Sequence, residues 1–269
     1  WILSPLLAGA QINEEFFSSN GVKIRYLVAG TGEPVILVHG FASRAEMWRP
    51  LLADLSKDHK VVAIDCRGHG KSDKPHDPDQ YGMEMVYDIV RLMDHLAMRK
   101  ANLIGYSMGG AIVMKMLVEY PERFFTAVIG GSAGYRAGEP DRDAHLVKYL
   151  QSGMSFSEAM FAAMPPGTPP PSPEQREAMK RMDSIQDPRA LAAQRLGNKG
   201  LVINYESLKR NKIPALIIYG GADNPERFTD LKQALVNAEF KVIPGAGHGG
   251  AVQSPEFAKD IRAFLESHQ

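Results

Sequence analysis

The chain has a single cysteine, Cys66, in 269 residues. An internal disulfide and a zinc site built on cysteines are therefore excluded. No apolar run approaches the roughly 20 residues that a bilayer-spanning helix needs. Nor is there an excess of one charge, since 31 Lys and Arg stand against 31 Asp and Glu. Nucleic-acid binders and polybasic membrane-surface proteins need surplus Lys and Arg to meet phosphates, so both classes are disfavoured. Repeats and coiled-coil heptads are also missing, which leaves a structural or scaffolding role without support. What is present is ordinary for a globular protein, 44% hydrophobic and 23% charged residues, in a length sufficient for one or two domains. Composition points to a protein of small molecules and goes no further; a monomer or homodimer is the separate expectation for its assembly.

Trp1–Ala10 is a short apolar stretch ending in Ala8-Gly9-Ala10. It reads either as the remnant of a secretory signal with a small-residue cleavage site or as an apolar arm packed on the body. Residues 1–16 are set apart on this ground. The compartment is left open, cytoplasmic in the second reading and secreted or periplasmic in the first.

From there strands alternate with helices. Val22–Val28 alternates apolar and polar residues, as a strand exposed on one face does. Val35–Val38, Val61–Ile64, Asn102–Ile104, Ala127–Ile129, Ala215–Tyr219 and Phe240–Ile243 are short, mostly apolar runs, as expected of strands covered on both faces. Helical spacing fills the intervals at Met47–Leu55, Met85–Leu96, Met108–Glu119, Phe228–Val236 and Phe257–Phe264. This alternation predicts a mostly parallel sheet with helices on both faces. Chemistry in such sheets is sought just beyond the carboxyl ends of the strands.

One segment, 133–211, breaks the rhythm. It carries helical patterns at Ala144–Leu150, Ser157–Met164, Pro173–Met182 and Ala190–Leu196 but no convincing buried strand. Six prolines between Pro165 and Pro173 exclude regular helix there and read as a stiff connector. Ser172 and Pro173 then form a helix start. The division expected is a core of 17–132 and 212–269 interrupted by a helical layer.

Three turns after strands carry the candidate chemistry. Gly105-Tyr106-Ser107-Met108-Gly109 follows a strand and opens a helix, the setting in which Gly-x-Ser-x-Gly lifts a serine above a sheet. Asp223 follows the run ending at Tyr219, and His248 lies in a glycine-rich turn after the run ending at Ile243. A serine hydroxyl is a weak nucleophile until a base takes its proton, and that base needs a third group to orient it. Ser107, Asp223 and His248 supply those three roles. His39-Gly40-Phe41 follows Val38, so Phe41 and Met108 are the expected backbone donors to a developing oxyanion. His39 and His69 are expected to be structural, and Cys66 a small apolar filler. Lys71-Ser72 after Gly70 is not a phosphate loop, because no helix follows.

Taken together, His39-Gly40-Phe41, the turn Asp65–Asp73, Gly105–Gly110, Asp223 and His248 resemble the α/β-hydrolase fold superfamily, in its serine esterase-like branch. The resemblance covers about Phe17 to Leu265. It implies an α/β-hydrolase fold with a mostly parallel eight-stranded sheet, helices on both faces and a helical cap at 133–211. It also implies a carboxylesterase-type serine hydrolase acting on a small ester through an acyl-enzyme, with no metal, nucleotide or redox cofactor. Epoxide hydrolases and haloalkane dehalogenases carry Asp where this chain has Ser107, which disfavours those branches. C–C bond hydrolysis, perhydrolysis by a cofactor-free haloperoxidase, and a non-catalytic receptor on the same fold remain open. Ala42-Ser43-Arg44 lacks the extra glycines of the C–C hydrolase loop, which weakens the first of these. Tyr106, Trp48, Met160 and Phe161 are the expected substrate contacts, with Met154, Phe156 and Met164 able to extend an apolar acyl pocket.

Overall fold

A computed structural model describes residues 11–138, 144–164, 167, 170–223 and 225–269. The apolar stretch 1–10 and residues 165, 166, 168 and 169 of the proline-rich connector lie outside the described residues. The strands in chain order are β1 (Asn13–Ser19), β2 (Val22–Ala29), β3 (Glu33–Val38), β4 (His59–Ile64) and β5 (Ala101–Tyr106). They continue with β6 (Phe124–Gly130), β7 (Tyr135–Arg136), β8 (Val202–Ile203), β9 (Ala215–Gly220) and β10 (Ala238–Ile243). Eight of them form one sheet in the order β1-β2-β4-β3-β5-β6-β9-β10. β1 and β2 are antiparallel to each other, β2 is antiparallel to β4, and every later pairing is parallel. β7 and β8 make a separate two-stranded ribbon.

The helices are α1 (Arg49–Leu55), α2 (Met83–His95), α3 (Met108–Glu119), α4 (Ala144–Gln151), α5 (Phe156–Ala162) and α6 (Pro173–Asp183). After these come α7 (Pro188–Gly197), α8 (Tyr205–Leu208), α9 (Thr229–Ala234), α10 (His248–Ala251) and α11 (Pro255–Glu266). The period of two in the central strands divides the core. Ile36 and Val38 of β3 pack with α2, α3 and α9 on one face, while Val35 and Leu37 pack with α1 and α11 on the other. α2 holds its place by Met85, Val86, Ile89, Leu92 and Met93, spaced to share one helix face. α11 is started by Ser254, whose hydroxyl accepts from the Glu256 N–H, and it buries Phe257, Ile261, Phe264 and Leu265. Burying a side chain of this size stabilises the fold by about 2 kcal/mol each.

α4 to α7 lie between β7 and β8, and α4, α5 and α7 close over a third apolar cluster that includes Leu146, Val147, Leu150, Phe156, Ala159 and Leu191. Ser172 caps α6 in a reciprocal capping box with Gln175, and Pro173 is its first residue. One expectation is corrected here. Asn13–Phe16, assigned to an N-terminal arm, belong to β1 and pair with Arg25–Val28. β1 is an edge strand that buries only Phe17 and Ser19, so it carries no run of alternating apolar residues to announce it.

Candidate active site

β5 is buried to its last residue and α3 begins at Met108, so Ser107 alone makes the turn between them. Its backbone stands at φ 55°, ψ −112°, a conformation that side chains other than glycine rarely adopt. The neighbouring glycines allow the turn. A Cβ on Gly105 would come within 2.2 Å of the Gly109 carbonyl oxygen, and one on Gly109 within 2.1 Å of the Val38 carbonyl oxygen. The Ser107 hydroxyl makes no capping bond to α3. Instead its Oγ lies 2.9 Å from His248 Nε2.

His248 opens α10, just past β10, and its Nδ1 lies 3.3 Å from Asp223 Oδ2. Asp223 stands three residues beyond β9 and is mostly buried. With Nδ1–H donating to the carboxylate, Nε2 is left as the acceptor that faces the Ser107 hydroxyl. The three residues read from sequence are thus brought into one hydrogen-bonded line across three strand ends.

The loop after β3 runs beside the serine: a Cβ on Gly40 would stand 3.4 Å from Ser107 Cβ. Ser43 N–H donates to the Gly40 carbonyl at 3.2 Å, closing a turn with Phe41 and Ala42 at its centre. Ala42 has φ 52° while Phe41 has negative φ, the pattern of a type II turn with alanine where glycine is usual. The amides at the centre of such a turn are not used by its own hydrogen bond. Among the described residues neither Phe41 N–H nor Met108 N–H donates to another protein group.

Two histidines stand behind this loop. His39 Nδ1–H donates to the Gly40 carbonyl and its Nε2 accepts from Cys66 N–H, at 2.7 and 3.0 Å. Burial lowers its pKa, so the ring is a neutral brace. His69 lies edge-on to His39 and Phe41 and donates from Nδ1 to the Arg67 carbonyl. Burial first, then the neighbouring His39, pushes its pKa down to about 3. Cys66 is buried and its thiol is pushed well above the usual range, mainly by desolvation.

Two of the expected substrate contacts are corrected. Trp48 is 1% exposed and stacks on Phe257 beneath the sheet, because the turn before α1 directs it into the core face shared with α11. Tyr106 is 2% exposed. It points away from the cleft because alternation along β5 sends it to the opposite side from Gly105. Its ring packs 5.5 Å from the His248 ring, and its hydroxyl donates to the His248 carbonyl. Burial raises its pKa, keeping that donor protonated. Tyr106 holds the His248 turn. Met160 and Phe161 are half-buried on α5, with Met160 against the third cluster.

Arg195 and Gln186, which reach the Phe41 loop from the helical segment, were not among the expected site residues. The Arg195 guanidinium lies 3.7 Å from the Phe41 ring centroid, and Phe156 meets that ring edge-on. Gln186 Nε2 donates to the Ala42 carbonyl at 2.7 Å. No local motif marks either Arg195 or Gln186. A groove of about 720 Å³ lined by Lys115, Arg136, Asn204 and Asp230, among others, contains none of the site residues. Among the described residues there is no cluster of three or more His, Cys, Asp or Glu placed to hold a metal ion, and no helix long and apolar enough to cross a membrane.

A mostly parallel eight-stranded sheet with a serine on the turn between its fifth strand and the following helix defines an α/β hydrolase. The chain belongs to that family, whose model, described as the alpha/beta hydrolase fold, matches residues 33–255. It is 29% identical over 269 residues to a protein of Bacillus subtilis (strain 168) assigned as 2-succinyl-6-hydroxy-2,4-cyclohexadiene-1-carboxylate synthase, covering 91% of this chain and 96% of that one. To the 2-hydroxy-6-oxo-6-(2'-aminophenyl)hexa-2,4-dienoic acid hydrolase of Metapseudomonas resinovorans it is 28% identical over 281 residues, covering 94% and 90%. Among solved structures it is similar to a thermophilic esterase from Thermogutta terrifontis with malate bound, at 26% identity and TM-score 0.78, covering 96% of this chain and 99% of that one.

Proposed function

We propose that the chain is a serine hydrolase that cleaves a small carboxylic ester, or a related acyl substrate, through an acyl-enzyme. One observation carries the reading: His248 Nε2 is 2.9 Å from Ser107 Oγ while its Nδ1 faces Asp223. In this mechanism His248 takes the Ser107 proton as the hydroxyl attacks the carbonyl, and Asp223 stabilises the imidazolium. The Phe41 and Met108 amides receive the oxyanion, at the N-terminus of α3 where the helix dipole favours negative charge. His248 then protonates the departing alcohol, and water repeats the sequence on the acyl-enzyme. The helical segment 133–211 acts as a cap over the site, with Met160 and Phe161 facing the acyl group. The same groups support C–C bond hydrolysis as a second reading, favoured by the likeness to the dienoic acid hydrolase.

The test is labelling with a fluorophosphonate and hydrolysis of p-nitrophenyl esters of increasing acyl length. The intact protein is expected to take one phosphonyl group on Ser107, and Ser107→Ala none. Hydrolysis by Ser107→Ala is expected to fall at least ~10⁴-fold, the order seen when the subtilisin triad is broken. Absence of an adduct on the intact protein would overturn the reading. An adduct with negligible ester turnover would move it to carbon–carbon chemistry.

A further inference from the structure

The turn Gly40–Ser43 presents Phe41 to the serine; His39 and the Ser43 N–H hold its first residue through the Gly40 carbonyl, but its second half is strained. Its second central residue is Ala42 at φ 52°, where a Cβ disfavours the conformation and glycine would be at ease. The Ala42 side chain is fully buried, and it is buried in the third cluster, among Leu146, Val147, Phe156 and Leu191 of the helical segment rather than in the sheet core. The Ala42 carbonyl receives the Gln186 side-chain amide at 2.7 Å, a bond spanning 144 residues of sequence. Gln186 lies between α6 and α7. Since the Ala42 oxygen can only accept, the amide orientation is fixed, and Gln186 Oε1 is buried with no hydrogen-bond partner among the described residues. A buried acceptor left unpaired carries a cost, so the orientation is maintained by the bond on the other side of the amide.

From these contacts we infer that Gln186 is a positioning residue for the oxyanion hole: its amide clamps the Ala42 carbonyl and thereby fixes where the Phe41 N–H points. The inference rests on Phe41 being an oxyanion donor, as set out above. It makes the helical segment part of the catalytic apparatus, because the turn that bears the donor is held from that segment. A displacement of the α6–α7 connection would release the turn and weaken stabilisation of the tetrahedral intermediate while leaving Ser107, His248 and Asp223 in place.

The experiment compares wild type, Gln186→Met and Gln186→Glu at pH 8. Met keeps the length without polarity, and Glu keeps size and polarity without a donor. Fluorophosphonate labelling is followed to completion, and kcat and KM are measured on p-nitrophenyl butyrate. A donor that acts through Phe41 predicts that both variants label to one group per chain but about tenfold more slowly, with kcat falling in parallel and KM within about twofold. That loss is smaller than the roughly 10²–10³ seen when an oxyanion donor is itself removed. Labelling rates within about twofold of wild type, wild-type behaviour of Gln186→Glu alone, or a loss expressed only as raised KM or incomplete labelling would overturn the inference. Failure of the wild type to label at Ser107 would instead remove the reading on which it rests.

Discussion

Ser107 illustrates how a single residue can oppose stability. Its φ of 55° and ψ of −112° place a β-carbon where glycine belongs, at a cost of about 1–3 kcal/mol. Two features lower the return from keeping a serine. Its hydroxyl does not cap α3, and its bond to His248 involves a half-exposed imidazole. Ser107→Gly is therefore expected to be more stable than wild type by about 1 kcal/mol, the strain released less the roughly 0.5–1 kcal/mol of extra chain entropy a glycine brings. It is also expected to be inactive. Urea unfolding of the two proteins checks the first statement, and an equal or lower midpoint for the glycine variant would show that the elbow stores no strain. The glycines on either side cannot be exchanged in the opposite sense, because a Cβ at Gly105 or Gly109 would meet backbone oxygen near 2 Å.

At the scale of elements, the turn after β4 shows how buried charge organises a loop. Asp65 accepts from the N–H groups of Ala45 and Lys71, at 2.7 and 2.8 Å. Two residues on, Arg67 is fully buried and grips Asp88 of α2 through two bonds of 2.7 and 2.6 Å. The pair locks the turn to the helix that covers the sheet. Asp88→Ala would leave a guanidinium buried with less compensation, and unfolding free energy is expected to fall by about 3–5 kcal/mol. The double variant Arg67→Met with Asp88→Leu removes both charges and is expected to recover most of that loss, as chemical denaturation would show. A double variant as unstable as Asp88→Ala would mean that packing, not charge, is at stake. This turn was legible in sequence only as Gly- and charge-rich, and its ion pair was not. Strands were legible where both faces are covered, as in β3, β5 and β9, because burial leaves a continuous apolar run. β1 was not, since it buries only Phe17 and Ser19 and so carries neither an apolar run nor an apolar alternation. The same logic separates the site residues. Ser107, Asp223 and His248 each follow a strand that could be read, so their convergence at one edge could be inferred. Gln186 and Arg195 meet the Phe41 loop through tertiary packing alone. Trp48 and Tyr106 lie close to the site along the chain, but their backbone directions carry them into the core.

Over the whole molecule, the balance of 31 basic and 31 acidic residues leaves little net repulsion at neutral pH, so pH dependence falls to individual buried groups. His69 is the clearest, with its pKa lowered to about 3 by burial, and His39 is displaced in the same direction. The unfolded chain protonates both rings near pH 6.5, whereas folding disfavours the proton on each and at His69 holds it off until about pH 3. Protons then favour the unfolded state, and stability falls as pH drops below about 6.5. The paired carboxylates also carry lowered pKa values, among them Glu46 and Asp54. Their contribution is present above the unfolded carboxylate value and is lost only below about pH 4. Between pH 7 and pH 5 the buried histidines therefore dominate. At pH 5, one and a half units below the unfolded value, His69 alone accounts for about 2 kcal/mol, at 1.36 kcal/mol per unit. Urea unfolding at the two pH values is expected to show at least that difference, and His69→Phe to reduce it by about 2 kcal/mol. If the phenylalanine variant kept the full slope, His69 would have to be charged in the folded state. That would place a cation behind Phe41 and make the oxyanion loop itself sensitive to pH.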